Sequence, residues 1–320
     1  MNKIAISGPD GVGKSQQIRL LNQDSKDRLH FTHRLADYPG GWPNLQGAAE
    51  FTWWFDEVPT EEFLKILTTS LNLRHLDRVE GKIAVLDRST RMFEAVAVAT
   101  IAMKEGGDTS EIFRQVRGFF QEKLNFQPSE HDFVLTTEPA YLVKTLSLRE
   151  VVDCRSAGYT PEQNERYARY QSVLSEAIDL CGVGMGDSTK IMVDNCIIVE
   201  HNLIRSQINK LFGLGLPPIC EGLDCLIALG GLSESGKSSL AQSLAEREGF
   251  VRLKIKYFEE IIKLRDEEAH AGSIGQEIVA FLRCHKHITK ASVESLHSNV
   301  LPAYLKLLFG ETLRIVYLDT

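Results

Sequence analysis

The sequence predicts an α/β protein in which one layered unit, a mainly parallel sheet covered by helices on both faces, is present twice. Residues 2–24 and 224–248 each read as an apolar strand, a glycine-rich turn and a helix. Short apolar runs also alternate along the chain with longer stretches of helical periodicity. Because these runs lack polar alternation, they suit buried parallel strands. Together these observations predict two three-layer sandwiches.

The individual elements follow from the spacing of apolar residues. In the first part, short apolar runs predict strands at 3–7, 83–86, 132–136 and 190–194. Between them, apolar residues at helical spacing predict helices over 61–79, 92–104, 110–124, 162–180 and 199–212. In the second part, strands are predicted at 226–229 and 313–318, with a helix after the second glycine-rich turn that stops at Gly249.

A domain boundary is predicted at 213–218, where glycines and prolines end the preceding helix. No pattern resumes until Leu223. We therefore expect a first domain over 1–212, a linker over 213–222 and a second domain over 223–320. The second domain is expected to be incomplete, because little chain follows its last strand to supply a lid and a final helix.

Composition narrows the class of protein. The chain has 320 residues, a formal net charge of −7 and a pI near 5.8, so a polynucleotide partner is possible through a local groove but is not indicated. There is no signal-peptide pattern and no run of about 18 apolar residues, which predicts a protein without a membrane partner. Six scattered cysteines without a CxxC pair predict reduced thiols in the cytoplasm.

Residues 8–15, GPDGVGKS, match the pattern G-x-x-x-x-G-K-[ST] between a predicted strand and a predicted helix. Glycines let the backbone wrap so that its N–H groups and the helix N-terminus face an anionic phosphate. The pattern therefore predicts an ATP-binding loop. Its candidate residues are Gly8, Gly11, Gly13, Lys14 and Ser15, where the lysine would reach the β- and γ-phosphates and the serine hydroxyl would bind Mg²⁺.

Residues 231–238, GLSESGKS, match the same pattern in the same context, so a second P-loop is predicted. The candidate ATP-binding residues here are Gly231, Gly236, Lys237 and Ser238, with Ser238 also a candidate Mg²⁺ ligand. A loop of this kind binds phosphate without positioning an acceptor. A structural or regulatory nucleotide site therefore stays open as an alternative to catalysis in this domain.

Over residues 1–212 the chain resembles the thymidylate kinase family of nucleoside monophosphate kinases. Asp10-Gly11 matches the family's DG, and residues 37–41, DYPGG, stand where the family carries E-P-G-G. Residues 71–75, LNLRH, are similar to its A-D-R-x-x-H helix, and Asp87-Arg88-Ser89 follows a predicted strand as the family's D-R-Y does. Residues 146–155 stand where the family places a mobile lid with arginines.

The resemblance implies roles for these residues. It implies that the acceptor is bound by Asp37, Tyr38, Pro39, Arg74 and Arg88. It also implies that Arg149 and Arg155 close the lid. The catalytic candidates are Lys14, Arg88, Asp10, Arg149 and Arg155. Elementary chemistry agrees for two of them. Arg88 at the carboxyl end of a central strand can bridge two polyanions, and the neighbouring Asp87 can hold Mg²⁺ directly or through water.

Two departures from the family bear on the acceptor. Position 70, where the family carries an aromatic residue that stacks on thymine, is Ser70, and residues 90–95, TRMFEA, replace the family's serine and Tyr-Gln pair. Base recognition is therefore expected to have changed or moved. Trp53, Trp54 and Phe55 could supply stacking, although an aromatic run at helical spacing is more often core packing.

These observations predict an Mg²⁺-dependent enzyme that transfers a phosphoryl group from ATP to a deoxynucleoside monophosphate or a modified nucleotide. One alternative keeps the chemistry but makes the acceptor a nucleoside or a modified base in a polynucleotide. Another is a nucleotide-binding regulatory module with little turnover. A homodimer is possible on the sequence alone.

Overall fold

The computed structural model describes residues 3–25, 28–138, 159–193, 197–216, 219–255, 267–296 and 300–319. The chain is α/β and forms two compact units, Met1–Val193 and Asp194–Thr320. Each unit contains one sheet in which all paired strands are parallel, flanked by helices. The predicted fold class is confirmed at this level.

The sheet of the first unit has five strands in the order β2-β3-β1-β4-β5. They are β1 (Lys3–Ser7), β2 (Leu29–Phe31), β3 (Ile83–Asp87), β4 (His131–Thr136) and β5 (Ser188–Met192). The central strand β1 is buried at all five positions, which explains its unalternating apolar run. The carboxyl ends of β1 and β3 therefore lie side by side at one edge of the sheet.

The six helices described in the first unit are α1 (Lys14–Asp24), α2 (Ala48–Thr52), α3 (Thr60–Leu76), α4 (Thr90–Glu105), α5 (Thr109–Lys123) and α6 (Pro161–Leu180), with short turns of 3₁₀ helix at Leu35–Asp37 and π helix at Trp53–Glu57. Five of the six lie near their predicted positions, and the short helix α2 was not predicted. Side-chain caps mark several starts. Ser89 accepts a hydrogen bond from the Met92 N–H at the start of α4, and Thr160 forms a capping box with Gln163 before α6.

The second unit has a four-stranded parallel sheet in the order β7-β8-β6-β9. Its strands are β6 (Cys225–Gly231), β7 (Val251–Lys254), β8 (Lys290–Leu296) and β9 (Leu313–Leu318), and its helices are α7 (Ile197–Phe212), α8 (Lys237–Glu248), α9 (Glu267–Cys284) and α10 (Val300–Phe309), followed by a 3₁₀ turn at Gly310–Thr312. The order repeats that of β2-β3-β1-β4 in the first unit. The two sheets therefore place their glycine-rich loops after equivalent strands.

The boundary between the units lies about 20 residues before the predicted linker. Helix α7, which the sequence analysis placed in the first domain, belongs to the second unit. Its Val199 lies in the core of that unit, and the helix packs against α10. This helix ends at Phe212, within the second unit, and the predicted boundary of 212 is corrected to about 193.

In the part of the chain that the structure describes, no helix combines the length and apolar character needed to cross a membrane.

Candidate functional site

The first glycine loop, residues 8–13, connects the buried strand β1 to helix α1 and needs glycine at defined positions. Gly8 has φ 136°, and a Cβ atom there would lie 2.3 Å from the carbonyl oxygen of Leu135 in the adjacent strand. Gly13, at φ 87°, is the residue before the first turn of α1. The loop therefore packs closely against the sheet, and the N-terminus of α1 follows it directly. Helix N-termini after glycine-rich loops of this kind bind anions.

Lys14 begins α1, and its side chain curls back over the first glycine loop. The residue is 6% exposed, and its Nζ donates to the carbonyl oxygen of Pro9 at 2.6 Å. The same Nζ lies 3.4 Å from a carboxylate oxygen of Asp10. Burial and the positive charge of Arg88 lower the pKa of Lys14 to about 8, against the opposing effect of Asp10. A phosphate in the loop would give this buried ammonium a stronger anionic partner.

The side chain of Asp10 contacts four others. Lys14 and Arg88 were predicted as site residues, and Tyr167 and Gln171 were not. The Oδ1 atom of Asp10 accepts from Nη2 of Arg88 at 2.5 Å, and its Oδ2 accepts from the hydroxyl of Tyr167 at 2.7 Å. The side-chain amide of Gln171 contacts both the Asp10 N–H, at 3.4 Å, and Oδ2, at 3.3 Å. The loop carboxylate thus links Lys14, the end of β3 and helix α6.

Arg88 follows β3 in a conformation that is uncommon for a residue with a side chain. Its φ is 67°, and its N–H donates to the carbonyl oxygen of Ile6 at 3.1 Å, so it still extends the sheet by one bond. Burial alone would lower the pKa of Arg88, but the carboxylates of Asp10 and Asp87 raise it above its ordinary value. Its Nε is buried without a hydrogen-bond partner among the described residues. The guanidinium is therefore permanently charged and only partly satisfied.

Asp87 and Arg74 stand beside Arg88. The Oδ1 atom of Asp87 is buried and has no hydrogen-bond partner among the described residues. Arg74, 3% exposed, donates from Nη1 to the Asp87 carbonyl oxygen at 3.0 Å and lies over the ring of Phe93, 5.1 Å from its centroid. Burial lowers the pKa of Arg74 to about 10. Arg74 therefore holds the end of β3 in this structure and presents little free surface to an acceptor.

The structure brings Lys14, Asp10, Asp87, Arg88 and Arg74 to one edge of the first sheet. Ser15 lies on the exposed side of α1 at the same loop. The other predicted acceptor residues have local roles. Asp37 accepts from the Arg34 N–H at 3.1 Å, the hydroxyl of Tyr38 donates to Asp77 at 2.5 Å, and Pro39 is exposed. Arg149 and Arg155 lie outside the described residues.

Ser70 does not line an open base pocket. It is completely buried on α3, and its Oγ accepts from the indole N–H of Trp42 at 2.8 Å. A Cβ atom on Gly40 would lie 1.9 Å from the Ser70 Oγ, so the segment around Gly40 packs directly on this helix. The position that resembles the family's stacking aromatic is therefore occupied by the contact with Trp42.

The run from Trp53 to Phe55 also packs largely inward. Phe55 is buried in the core, and Trp54 donates from its indole N–H to the buried Thr100 hydroxyl at 3.0 Å. Trp53 is half-buried and packs against the same core. The core-packing interpretation of this run is the one that the described contacts support.

The second glycine loop, residues 231–236, repeats the geometry of the first. Gly231 has φ 130°, and a Cβ atom there would lie 2.4 Å from the Leu318 carbonyl oxygen. Lys237 is 8% exposed and donates from Nζ to the Gly231 carbonyl oxygen at 2.9 Å and to that of Leu232. At one position a residue with a side chain takes the left-handed conformation of a glycine: Glu234, at φ 65°, occupies the place of Gly11, at φ 92°.

Glu294 is a site residue that the sequence analysis missed. It is 1% exposed at the end of β8, and its two carboxylate oxygens accept from Ser238 Oγ at 3.0 Å and from Arg252 Nε at 2.7 Å. Strand pairing places Glu294 opposite Leu229, two residues before Gly231, as Asp87 lies opposite Ile6, two residues before Gly8. Glu294 could have been found from the sequence by looking for a carboxylate on the neighbouring parallel strand at the position that corresponds to Asp87.

The two loops offer a hydroxyl and a carboxylate for a divalent cation: Ser15 and Asp87 in the first unit, Ser238 and Glu294 in the second. Mg²⁺ in a nucleotide site commonly takes one or two protein ligands and completes its shell with phosphates and water. The buried, unpaired Oδ1 of Asp87 fits that demand. Within the described residues, no three His, Cys, Asp or Glu side chains are grouped to hold a metal by themselves.

Models of known protein families, when scanned against the chain, gave no match, and a search among curated proteins found no relative either.

Proposed function

We propose that the first unit transfers a phosphoryl group from ATP to a deoxynucleoside monophosphate or a modified nucleotide. The observation that carries this proposal is the convergence of Lys14, Asp10 and Arg88 at the carboxyl edge of the sheet, around a loop shaped to approach phosphate. Two polyanions repel each other, and transfer between them needs cations fixed between donor and acceptor. The candidate cations are Lys14, at the start of α1, and Arg88, directly after β3.

On the donor side, the first glycine loop and the N-terminus of α1 would hold the β- and γ-phosphates of ATP. The ammonium of Lys14 would leave the Pro9 carbonyl and turn to the phosphate oxygens. Mg²⁺, bound by Ser15 and by Asp87 directly or through water, would neutralise charge on the triphosphate. Because Lys14 already lies against the loop, only a short rotation of its side chain is needed.

On the acceptor side, Arg88 is the residue placed to meet the phosphate of the acceptor. An oxygen of that phosphate attacks the γ-phosphorus, the bond from the γ-phosphorus to the β,γ-bridging oxygen breaks, and ADP leaves with that electron pair. In the transition state, negative charge is spread over the oxygens of the transferring phosphoryl group and grows on the leaving bridging oxygen. A fixed guanidinium beside these oxygens stabilises that charge. Asp10, held by Tyr167 and Gln171, keeps Arg88 oriented when no phosphate is present.

The second unit supports nucleotide binding better than transfer. Its loop lysine, Lys237, and the Ser238–Glu294 pair repeat the phosphate and metal elements. The two residues after Glu294 are Ser295 and Leu296, both uncharged, whereas Arg88 follows Asp87 in the first unit, and the third loop residue is Ser233, where the first unit has Asp10. Because the acceptor-side charges differ, we propose a nucleotide-binding site with regulatory character for this unit.

The acceptor can also be a nucleoside or a modified base in a polynucleotide, and the decisive experiment separates these classes. ADP release is measured with ATP and Mg²⁺ against all nucleoside monophosphates, the matching nucleosides and one polynucleotide. The variants are Lys14→Met and, as the matched control in the other loop, Lys237→Met. We expect turnover with a nucleoside monophosphate that is lost in Lys14→Met and kept in Lys237→Met. Turnover lost only in Lys237→Met would move the chemistry to the second unit.

A further inference from the structure

Trp42 is a half-buried aromatic residue that takes no part in the proposed contacts with the phosphates or the metal. It lies after the glycines at 40 and 41, in the segment between the 3₁₀ turn and α2. Its indole N–H donates to the Ser70 hydroxyl at 2.8 Å, which fixes the direction of the ring. A buried partner for the polar edge of an indole is what orients a tryptophan for a specific contact.

The ring is supported from behind. Trp54 stacks on Trp42 with a centroid distance of 5.7 Å and an interplanar angle of 24°, and Phe63 meets it edge-on at 6.5 Å. Trp54 is itself held by its bond to Thr100, which is completely buried. Trp42 is therefore a rigid, half-buried platform, and it is not a loosely tethered surface side chain.

The platform lies close to the charged edge of the sheet. Ser70, which holds the indole, precedes Arg74 by four residues on α3, a spacing that places Cβ atoms about 5–6 Å apart on one helix face. Arg74 in turn donates to the carbonyl oxygen of Asp87, the residue before Arg88. Trp42 is thus linked to Arg88, the cation that would meet the acceptor phosphate, through a hydrogen bond to Ser70, one turn of α3 and the hydrogen bond from Arg74 to Asp87.

We infer that Trp42 stacks on the base of the nucleotide acceptor and selects acceptors that carry a planar ring next to the phosphate. This inference rests on the proposed function. Small Ser70 and the close-packed Gly40 create the space that the indole fills, so the stacking surface comes from the segment facing α3 and not from α3 itself. Stacking on tryptophan favours any planar base, while the sugar phosphate alone gains nothing from it.

The test compares acceptors with and without a base in the full chain. KM and kcat are measured at saturating ATP for the four deoxynucleoside 5′-monophosphates and for 2-deoxyribose 5-phosphate, in wild type, Trp42→Leu and Trp53→Leu. Trp53 is the matched control, because it is half-buried in the same aromatic cluster and meets Trp42 edge-on at 6.1 Å. Thermal unfolding of each variant accompanies the kinetics.

We expect Trp42→Leu to raise KM for the nucleotides on the order of tenfold, with the sugar phosphate unchanged and Trp53→Leu within about twofold for both. An equal rise for nucleotides and sugar phosphate in Trp42→Leu would overturn the inference. The same base-selective rise in Trp53→Leu would also overturn it.

A binding measurement keeps the inference testable if Trp42→Leu does not fold or if no transfer is observed. Thymidine 5′-monophosphate should quench the tryptophan emission of wild type, 2-deoxyribose 5-phosphate should not, and Trp42→Phe should lose most of that quenching. Undiminished quenching in Trp42→Phe contradicts the role of Trp42. Absent turnover with intact quenching instead contradicts phosphoryl transfer alone.

Discussion

Arg88 offers the sharpest test of the proposed chemistry, because its side chain and its backbone make separable contributions. Arg88→Ala removes a guanidinium whose Nη2 lies 2.5 Å from Asp10 Oδ1 and whose Nε has no partner among the described residues. Removing one preorganised group that stabilises transition-state charge costs about 3–4 kcal/mol, so kcat should fall roughly 10²- to 10³-fold while KM changes less.

The backbone contribution is isolated by Arg88→Gly. At φ 67° a residue with a Cβ atom is strained by about 1 kcal/mol relative to glycine, so Arg88→Gly should unfold at a higher temperature than Arg88→Ala while being equally inactive. Arg91→Ala is the control, since Arg91 is exposed in the first turn of α4, three residues after Arg88, and contacts the carbonyl oxygens of Gly182 and Met185.

The assay is steady-state ADP release with each acceptor, together with thermal unfolding of all three variants. The Arg91→Ala protein should keep kcat within about twofold. A variant at position 88 that keeps kcat and only raises KM would refute the reasoning, because Arg88 would then bind the acceptor equally in the ground and transition states.

Three further predictions address pH and backbone strain. Since burial lowers the pKa of Lys14 to about 8, its ammonium loses charge above that pH; kcat/KM for ATP should fall there while kcat falls less, and a flat profile up to about pH 10 would contradict this. Glu234→Gly removes a strained φ of 65° and a negative charge from the second loop, so stability should rise by about 1 kcal/mol and ATP should bind the Lys14→Met protein more tightly; unchanged denaturation and titration curves would argue against it. Burial raises the pKa of Asp132 from 3.8 to about 6, which favours its protonated form in the folded state; stability is therefore lost as pH rises from about 4 to 6, by about 2 kcal/mol, and Asp132→Asn should remove that loss in urea unfolding at the two pH values.

Elements with a strong local signal were predicted correctly from the sequence. Helix α3 and helix α6 follow from their 3.6-residue periodicity, and α6 also has the Thr160 capping box and a proline at its first position. Strands β2, β7 and β8 were not predicted. The first two have only three and four residues, and the third carries a buried glutamate, Glu294, among small residues, so none of them shows a long apolar run.

The boundary error has a physical cause. Glycines and prolines at 213–218 report where a helix ends, whereas a domain boundary is set by which core a helix packs against. Val199 and α7 join the second core through contacts with α10, about a hundred residues later in the chain. Such a partnership leaves no mark in the local sequence.

The candidate site shows the same division. Lys14 and the loop glycines follow from a local motif, and Arg88 follows from its place after a buried strand. The partners of Asp10, Tyr167 and Gln171, come from a helix more than 150 residues away. The environment of Ser70 depends on a facing segment, so no pattern on α3 alone could show that the Trp42 indole takes the space above it.

The Ser70 contact also changes what can be expected of a restored aromatic. Phenylalanine at position 70 would need room where Trp42 Nε1 lies 2.8 Å from the serine hydroxyl and where Gly40 already leaves none. Overpacking of a filled site costs about 1–3 kcal/mol. An aromatic at this position would therefore displace the Trp42 platform and would not add a second stacking surface.

Comparison of the two units shows which features the scaffold imposes and which are free to vary. In both units, parallel pairing places a carboxylate opposite the residue that lies two positions before the first loop glycine: Asp87 opposite Ile6 and Glu294 opposite Leu229. The next residue in the chain is Arg88 in one unit and Ser295 in the other, where the register shifts so that Leu296 pairs with Gly230. Under the proposed function, loop and carboxylate suffice to hold a nucleotide with its metal. Transfer additionally needs a fixed cation for the acceptor, and at this position the first unit alone has one.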